Sequence, residues 1–365
     1  MKTIPESPAT PAHWTSRPLP VHLVGSLPHP LCEDARAAMS WFLGHRAGAE
    51  LTALPYDRDP RWIIDWLEGL AAVPGLEQVR GGASRGYDDM PYYRIRPGHR
   101  LLPGDVAPGR PAQAETAFAA LDALGTTGVR VQVGVPNSLD LALFASGSVE
   151  AARDWMPAVQ EAVVGEVAAL AAAWGDRVQL QLETPAVLVA YHRTSREAWP
   201  MLTRDLSGQV AEVLRAAPRV SWVLHLCYGD LEHVPVFAPS DLEPAVEFLN
   251  GLADLLARLR LPMPTVHLPV TSGDTAPPTD PAFFAALRHL RRGVDVIAGV
   301  VAEAHPEATR RALSLTVEAL GAPVAGVAAA CGYGRRTLDA AAANMRLAAE
   351  LAREWSPLMK PCGEG

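Results

Sequence analysis

Eight short apolar runs alternate with alanine- and leucine-rich segments along this 365-residue chain. Most of the runs are almost continuously apolar, which is typical of parallel strands buried on both faces. The segments between them have helical spacing, and eight strand and helix units are the number found in a (β/α)8 barrel. The sequence therefore predicts an α/β protein with a (β/α)8 TIM barrel fold.

The predicted strands are spaced widely enough for a helix to follow most of them. They are VHLVGSL (21–27), ELTAL (50–54), VRVQVGV (129–135), RVQLQLE (177–183), SWVLHLC (221–227), TVHLPV (265–270), DVIAGVV (295–301) and VAGVAAAC (324–331). Apolar periodicity predicts helices at 151–174, 241–259, 306–320 and 337–355. An open doubly wound sheet is the alternative, but no G-x-G-x-x-G turn follows the first strand, which weakens a dinucleotide-binding version of it.

The two ends of the chain and one long insertion lie outside the strand and helix repeat. Residues 1–20 contain five prolines and no periodicity, so we expect an irregular N-terminal arm. A single barrel is expected over residues 21–356, with a C-terminal tail at 357–365. After the second strand, RWIIDWLEGLAA predicts a helix, and YYRIR and RLLPGD resemble an inserted hairpin that would cover one mouth of the barrel.

The basic residues of the chain are almost all arginines. Only Lys2 and Lys360 are lysines among the 32 basic residues, and both lie in the tails. This argues against a P-loop lysine and against a Schiff-base lysine. Activation of a nucleophile must then come from a metal, a histidine or a carboxylate, and an anionic substrate group must be met by arginine, hydroxyl or backbone donors.

Charge and hydropathy exclude further classes of function. A net charge of −8 and a pI near 5.8 argue against a nucleic-acid-binding surface. Without an uninterrupted 18-residue apolar run or a charged-then-apolar leader, we expect no membrane span, no secretory signal and a cytoplasmic location. Four cysteines in a chain of this length do not form a disulfide framework, so metal binding or catalysis is expected of any functional ones.

The chemistry of a (β/α)8 barrel lies at the C-terminal ends of its strands. His225 and Cys227 end the fifth predicted strand two residues apart, so their side chains point to the same face. His267 lies on the sixth strand and Cys331 ends the eighth. Two thiolates with one or two imidazoles suit tetrahedral zinc, so a Zn²⁺ site is predicted at these four residues. The alternative is a buried apolar cysteine beside a histidine that bonds the backbone.

The combined pattern resembles the catalytic barrel of cobalamin-independent methionine synthase. HLCYGD and AACGYGRR match the family's H-x-C and C-G-hydrophobic-basic segments, VGSLPHP is similar to its I-G-S-F-P, and LQLETPA is similar to its I-Q-I-D-E-P-A. The matches keep the family's order over nearly all of residues 20–355, and the length suits the short, single-barrel relatives. The resemblance implies zinc-dependent methyl or alkyl transfer to a small thiol such as homocysteine, with the metal-bound thiolate as nucleophile.

The resemblance also implies the partners, which are a small-molecule thiol and a methyl donor such as methylfolate or a methylcorrinoid protein. Three positions depart from the family pattern. The acidic zinc ligand of the family would fall in VHLPVTSG, where His267 is the only good donor, and we expect His267 to be displaced when a thiol binds. Glu183 and Thr184 stand where the family has aspartate and glutamate.

Other polar residues at the strand ends have predicted roles in substrate binding or catalysis. By its match to the family's G-S segment, Ser26 would bind a substrate carboxylate; the alternative is a serine in a tight turn. Glu183 is predicted to bind a substrate amino group or to act as a base. The resemblance also implies that Asp57 takes the place of the family's other amino-binding acid, although PYDRDP is equally good turn sequence. Asp230 is predicted to orient the zinc-binding histidine or to cap the next loop, and Arg335 to pair with a carboxylate or phosphate.

Two other functions remain open from the sequence. One is a metal-free barrel enzyme resembling uroporphyrinogen decarboxylase, which uses arginines and a carboxylate on an acidic substrate. The other is a non-catalytic barrel that binds a metal or a thiol without turnover. The tryptophans, Trp62 among them, lie mostly in helical apolar stripes and are interpreted as core residues.

Overall fold

The computed structural model describes residues 18–231, 234–272 and 275–355. Most of the predicted N-terminal arm and the whole predicted C-terminal tail lie outside these ranges. Within them, a curled eight-stranded parallel sheet is ringed by helices, and this architecture confirms the predicted (β/α)8-type fold.

Ten strands are described, of which eight form the barrel sheet. Their bounds are β1 (Val21–His22), β2 (Leu54–Pro55), β3 (Leu76–Arg80), β4 (Tyr92–Ile95), β5 (Val131–Pro136), β6 (Val178–Thr184), β7 (Ser221–Leu226), β8 (Thr265–Pro269), β9 (Val296–Val301) and β10 (Gly326–Ala329). The sheet order is β1-β10-β9-β8-β7-β6-β5-β2. The ring closes where the backbone of Val21 bonds Glu50 and Thr52, just before β2. Each of the eight predicted runs therefore contributes to the barrel.

The helices lie outside the sheet and bury one apolar stripe each. Their bounds are α1 (Ala35–His45), α2 (Ile64–Gly69), α3 (Arg110–Ala123), α4 (Ser138–Ser146), α5 (Val149–Trp174), α6 (Pro185–Arg193), α7 (Trp199–Ala216), α8 (Glu243–Leu259), α9 (Pro281–Phe284), α10 (Pro306–Leu320) and α11 (Leu338–Trp355). The helices predicted from apolar periodicity are α5, α8, α10 and α11, and the helix predicted in RWIIDWLEGLAA is α2. Helix α8 shows the pattern, since it buries Leu249, Leu252 and Leu256 at helical spacing.

Helix α5 is unusually long and apolar. In the part of the chain that the structure describes, Val149–Arg177 is the one helical segment long and apolar enough to span a membrane by length and composition. Its buried side chains include Trp155, Val159 and Val163, which recur at intervals of four residues and belong to the barrel core. The helix is therefore placed as one of the outer helices of the barrel.

In the inserted hairpin, YYRIR pairs with a different segment from the predicted one. YYRIR forms β4 as predicted, but it pairs antiparallel with β3 and not with RLLPGD. RLLPGD contains Pro103, whose missing N–H cannot join a ladder, and it forms a short 3₁₀ turn over Pro103–Asp105. Met90 and Tyr92 of the insertion line a cavity at one mouth of the barrel, as expected of a covering segment.

Candidate functional site

A cavity of about 700 Å³ opens where the barrel strands end. Segments that follow β1, β2, β6, β7 and β10 line one part of its wall, and α4, α6 and α7 line another. The predicted site residues on this wall are Ser26, Asp57, Glu183, His225, Cys227, Asp230, Cys331 and Arg335. Active sites of this fold lie at this face, and cavities of roughly 300–1,000 Å³ are typical of small-molecule sites. This cavity is therefore the candidate functional site.

Three potential metal ligands meet on the cavity wall. His225 lies near the end of β7, Cys227 follows that strand, and Cys331 follows β10 by two residues. One ligand atom from each of the three lies within 4.8 Å of the others, and the two sulfur atoms are 4.0 Å apart. All three side chains are buried. The curled sheet thus brings together residues that are separated by 104 positions in sequence.

His267 lies next to this cluster but outside it. Its Nε2 is 2.9 Å from the carbonyl oxygen of Ala329, and its Nδ1 is 2.7 Å from Nδ1 of His225. Burial lowers the pKa of His267 well below its usual value, so the ring is neutral. Gly299 on β9 leaves the space that this ring needs, because a Cβ there would lie 2.8 Å from Nε2 of His267.

These contacts determine which ring nitrogens carry protons. A carbonyl oxygen only accepts, so Nε2 of His267 donates to Ala329, and its Nδ1 must accept from Nδ1 of His225. Nε2 of His225 would then offer the lone pair that a metal needs, on a ring that also hydrogen-bonds the Cys227 sulfur. Both ring nitrogens of His267 are engaged by protein atoms in this arrangement, and its predicted role as a ligand stays a prediction. The contact places His267 against Nδ1 of His225.

The Cys227 and Cys331 sulfurs lie within hydrogen-bond distance of each other. The hydrogen bond between them lowers the pKa of Cys227. The same bond, together with burial, raises the pKa of Cys331. A thiolate is therefore already favoured at Cys227, and thiolates are the form in which cysteines bind metals.

Glu183 is held by donors on both of its carboxyl oxygens. The Trp62 indole donates to Oε2 over 2.7 Å, and the Gln181 amide donates to Oε1 over 3.0 Å. The Gln181 carbonyl accepts in turn from Nε2 of His22 inside the barrel. In the sheet, Glu183 pairs in register with His225. The Glu183 carboxylate is thus fixed beside the cluster of His225, Cys227 and Cys331.

Replacing Gly134 with alanine is expected to displace this carboxylate. A Cβ at position 134 would lie 2.6 Å from Oε1 of Glu183, so the side chain must move and its bond from Gln181 is lost. We expect Gly134→Ala to lower the free energy of unfolding by about 1–3 kcal/mol, the usual cost of overpacking. Urea unfolding measures this change.

The matched control is Gly165→Ala on helix α5. An added Cβ there meets no atom within 4 Å, and alanine is the better helix former by about 0.5–1 kcal/mol. Equal stabilities for the Gly134→Ala variant and the unmodified protein would contradict the arrangement described for Glu183.

Asp57 forms a buried ion pair at the edge of the cavity. Its Oδ1 accepts from Arg110 over 2.8 Å and from Gln113 over 3.2 Å. Burial raises the pKa of Asp57 to about 7, although the Arg110 guanidinium opposes that rise. Arg110, the first residue of α3, thus compensates the charge of Asp57. Nothing in the sequence indicated this pairing.

The remaining predicted residues are placed as follows. Ser26, Asp230 and Arg335 line the cavity, and Ser26 and Asp230 are buried. The neighbouring Arg336 points elsewhere: its Nε donates to Glu303 and its Nη1 to the carbonyl of Gly332. Arg336 therefore holds the loop after β10 in shape, while Arg335 is the arginine of this pair that faces the cavity.

Three residues of the site were missed by the sequence reasoning. Trp62 was interpreted as a core residue, although its indole donates to Glu183 and its φ of +78° is unusual for a non-glycine residue. Arg110 and Gln181 had no motif that marked them. The one usable sequence signal was the polar spacing QLQLE in a buried strand, where alternate glutamines point into the barrel with Glu183.

No protein-family model matches the chain, and a search of curated proteins also finds no match. Solved structures do match. One is a B12-independent methionine synthase from Shewanella sp. W3-18-1 in complex with selenomethionine, with 14% identity, a TM-score of 0.56, and coverage of 93% of this chain and 98% of that chain.

Two further matches cover similar shares of the chain. A methyltransferase from Methanosarcina mazei has 13% identity, a TM-score of 0.49, and coverage of 93% of this chain and 94% of that one. A protein from Listeria monocytogenes, provisionally described as a vitamin-B12-independent methionine synthase, has 15% identity, a TM-score of 0.48, and coverage of 91% and 96%. The resemblance predicted from the sequence motifs is confirmed at the level of the fold by the Shewanella structure.

Proposed function

We propose that this protein is a zinc-dependent methyltransferase that acts on a small thiol. The observation that carries the proposal is the buried cluster of one imidazole and two cysteine sulfurs on the wall of the cavity. The fold likeness to a B12-independent methionine synthase supports methyl transfer as the reaction.

The donor set fits zinc in kind and in spacing. Zinc favours nitrogen and sulfur ligands, and catalytic zinc sites take three protein ligands and keep one position open. In a tetrahedral site with Zn–S bonds near 2.3 Å, two thiolates lie roughly 3.8 Å apart. The Cys227 and Cys331 sulfurs are 4.0 Å apart. His225, Cys227 and Cys331 are therefore the proposed ligands.

Zinc bound there would lower the pKa of a substrate thiol so that the thiolate is present at neutral pH. In the overall reaction, the thiol sulfur forms a bond to the methyl carbon of the donor. The bond between donor and methyl breaks, the donor keeps its electron pair, and the thiol proton passes to a base or to solvent. No oxidant or reductant is needed.

The residues around the cluster would orient the ligands and accept the proton. His267 holds His225 in the tautomer that leaves Nε2 free, and the Ala329 carbonyl holds His267. Asp230 and Glu183 lie on the same wall, and we propose them as the candidates for the proton acceptor. Ser26, Asp57 and Arg335 line the same cavity, and their predicted contacts with substrate stay predictions.

The proposed setting is the cytoplasm, and the proposed partners are small molecules, a thiol and a methyl donor. Among the described residues, Cys32, Cys227 and Cys331 are free cysteines, as expected in a reducing compartment. A reducing compartment would also keep Cys227 and Cys331 available to a metal.

Metal analysis followed by a transfer assay tests the function. We expect one equivalent of zinc per chain, and methylation of a thiol with one of three donors: a methylfolate, a methylcorrinoid or a methylsulfonium compound. Protein that holds no zinc would favour the metal-free decarboxylase-like alternative. Protein that holds zinc but transfers no methyl group from any donor would favour a binding function.

Replacing His267 with leucine is expected to weaken metal binding roughly 10- to 100-fold, the usual effect of losing a partner that orients a histidine ligand. His267→Gln, whose amide can still donate and accept, should lose less. Competition with a chromophoric chelator measures the affinity. The control is His45→Leu, because His45 bonds the Trp41 carbonyl on α1 and does not line the cavity. An unchanged affinity in His267→Leu would contradict the role given to His267.

A further inference from the structure

The cavity wall formed by α4, α6 and α7 is mostly apolar, and Arg193 at the end of α6 is the charged residue that these helices contribute to the lining. Leu139 and Leu143 on α4 and Leu202 and Leu206 on α7 are each four residues apart, so each pair lies on one helix face. Val189 on α6 lines the cavity as well. Three helices therefore direct apolar side chains into the same space that contains the metal-ligand cluster.

These side chains are not fully packed by the protein itself. Leu139, Leu143, Val189 and Leu202 are only partly buried, whereas Leu141 on the same helix as Leu143 is completely buried. Apolar surface that faces a cavity lacks partner atoms, and a ligand with its own apolar surface would supply them. The wall is thus suited to an apolar ligand.

Two of the carboxylates on the cluster side of the cavity, Glu183 and Asp57, are already compensated by protein groups. Both oxygens of Glu183 accept N–H bonds, from Trp62 and Gln181, and Asp57 is paired with Arg110. A ligand ammonium group would compete with the buried Arg110 guanidinium for Asp57. Contact with Asp57 would therefore not offset the free-energy cost of removing the ammonium group from water.

We infer that the thiol substrate has an apolar body that lies against this wall and lacks the ammonium group of an amino acid. This inference rests on the proposed function, because it places the thiol sulfur at the cluster of His225, Cys227 and Cys331. A cavity of about 700 Å³ also has room for a larger body than that of homocysteine.

A thiol titration of the cobalt-substituted protein tests the inference. The two cysteines already give bound Co²⁺ a thiolate charge-transfer band, and this band should increase when a substrate thiolate binds as a further ligand. 4-Sulfanylbutanoate, which is homocysteine without its amino group, should bind at least as tightly as homocysteine. From propane-1-thiol to hexane-1-thiol, each added methylene should tighten binding about three- to fourfold. Homocysteine binding more than tenfold tighter than 4-sulfanylbutanoate would overturn the inference.

Two variants test the wall itself. Leu143→Asn should weaken hexane-1-thiol binding about tenfold while the cobalt content stays the same. Leu255→Asn is the matched control, because Leu255 is a partly buried leucine of α8 that does not line the cavity. Equal weakening in both variants would show that the wall has no specific role and would overturn the inference.

A metal-free measurement separates this inference from the proposed function. Calorimetric titration of the metal-free protein with n-alkanols from butan-1-ol to octan-1-ol should show the same gain per methylene. If no metal binds, or if no thiol changes the charge-transfer band, the proposed function fails. The alkanol series then still shows whether the wall binds apolar ligands. If the affinity for the alkanols does not rise with chain length, the inference is overturned whatever the metal result.

Discussion

Replacing Cys227 or Cys331 with serine is expected to abolish metal binding and methyl transfer. A serine hydroxyl is not ionised at neutral pH and is a poor zinc ligand, so a cluster of three donors is reduced to two. Because the ligands supply most of the binding free energy of a protein zinc site, we expect a loss of at least about 1,000-fold in metal affinity. Metal content after gel filtration and the initial rate of transfer measure the two effects.

Cys32→Ser is the matched control for these variants. Cys32 is as buried as the cluster cysteines, but its sulfur lies 3.3 Å from Nδ1 of His29 and does not line the cavity. This variant should keep its metal and its activity. Full metal content and full turnover in both Cys227→Ser and Cys331→Ser would show that the site is assigned to the wrong residues.

Replacing Arg110 with methionine is expected to destabilise the protein by roughly 1–2 kcal/mol at pH 8, because Asp57 can take up a proton and each pH unit above its pKa of about 7 costs about 1.4 kcal/mol. The Arg110 and Asp57 side chains are only 8% and 14% exposed, so water cannot replace the lost partner. Urea unfolding of Arg110→Met measures the loss. Asp57→Asn in the same chain should recover much of it, because no buried charge remains.

The destabilisation by Arg110→Met should depend on pH. Burial already raises the pKa of Asp57 to about 7 in the folded protein, so the folded state holds a proton that the unfolded state loses near pH 4. Stability from this group therefore falls as pH rises from about 4 to 7. Without Arg110 the folded pKa is higher still, so the fall continues beyond pH 7. The variant should differ little at pH 4 and most at pH 8.

An exposed ion pair provides the control for Arg110→Met. Arg94 and Glu77 are 2.8 Å apart on the hairpin, but their side chains are 63% and 41% exposed. Exposed pairs of this kind contribute roughly 0–1 kcal/mol, so Arg94→Met should have a small effect. Similar losses of stability in Arg94→Met and Arg110→Met would mean that burial does not strengthen the pair of Asp57 and Arg110.

The sequence predicted the barrel correctly because its signals are local. A strand buried on both faces must be apolar along its whole length, and a helix packed on one side must repeat its apolar residues every three or four positions. The hairpin was predicted only in part. Strand pairing is a long-range choice between segments, and both β3 and RLLPGD were available to β4.

The metal-ligand cluster was predicted in part for the same reason. Strand position alone places His225 and Cys227 on one face and brings Cys331 to the same mouth of the barrel. The role of His267 could not be predicted, because it depends on a hydrogen bond from its ring to the Ala329 carbonyl on another strand. That bond and the one to His225 engage both ring nitrogens of His267.

The sequence by itself determined the fold class, the order of the strands along the chain, and the donor types near one end of the barrel. Only the tertiary structure decided which of those donors meet, that Trp62 and Arg110 hold the carboxylates of the site, and that three helices give the cavity an apolar wall. The physical reason is the separation along the sequence over which each interaction acts. Periodicity acts between neighbours in the chain, whereas Trp62 and Glu183 are 121 positions apart and meet only when the barrel closes.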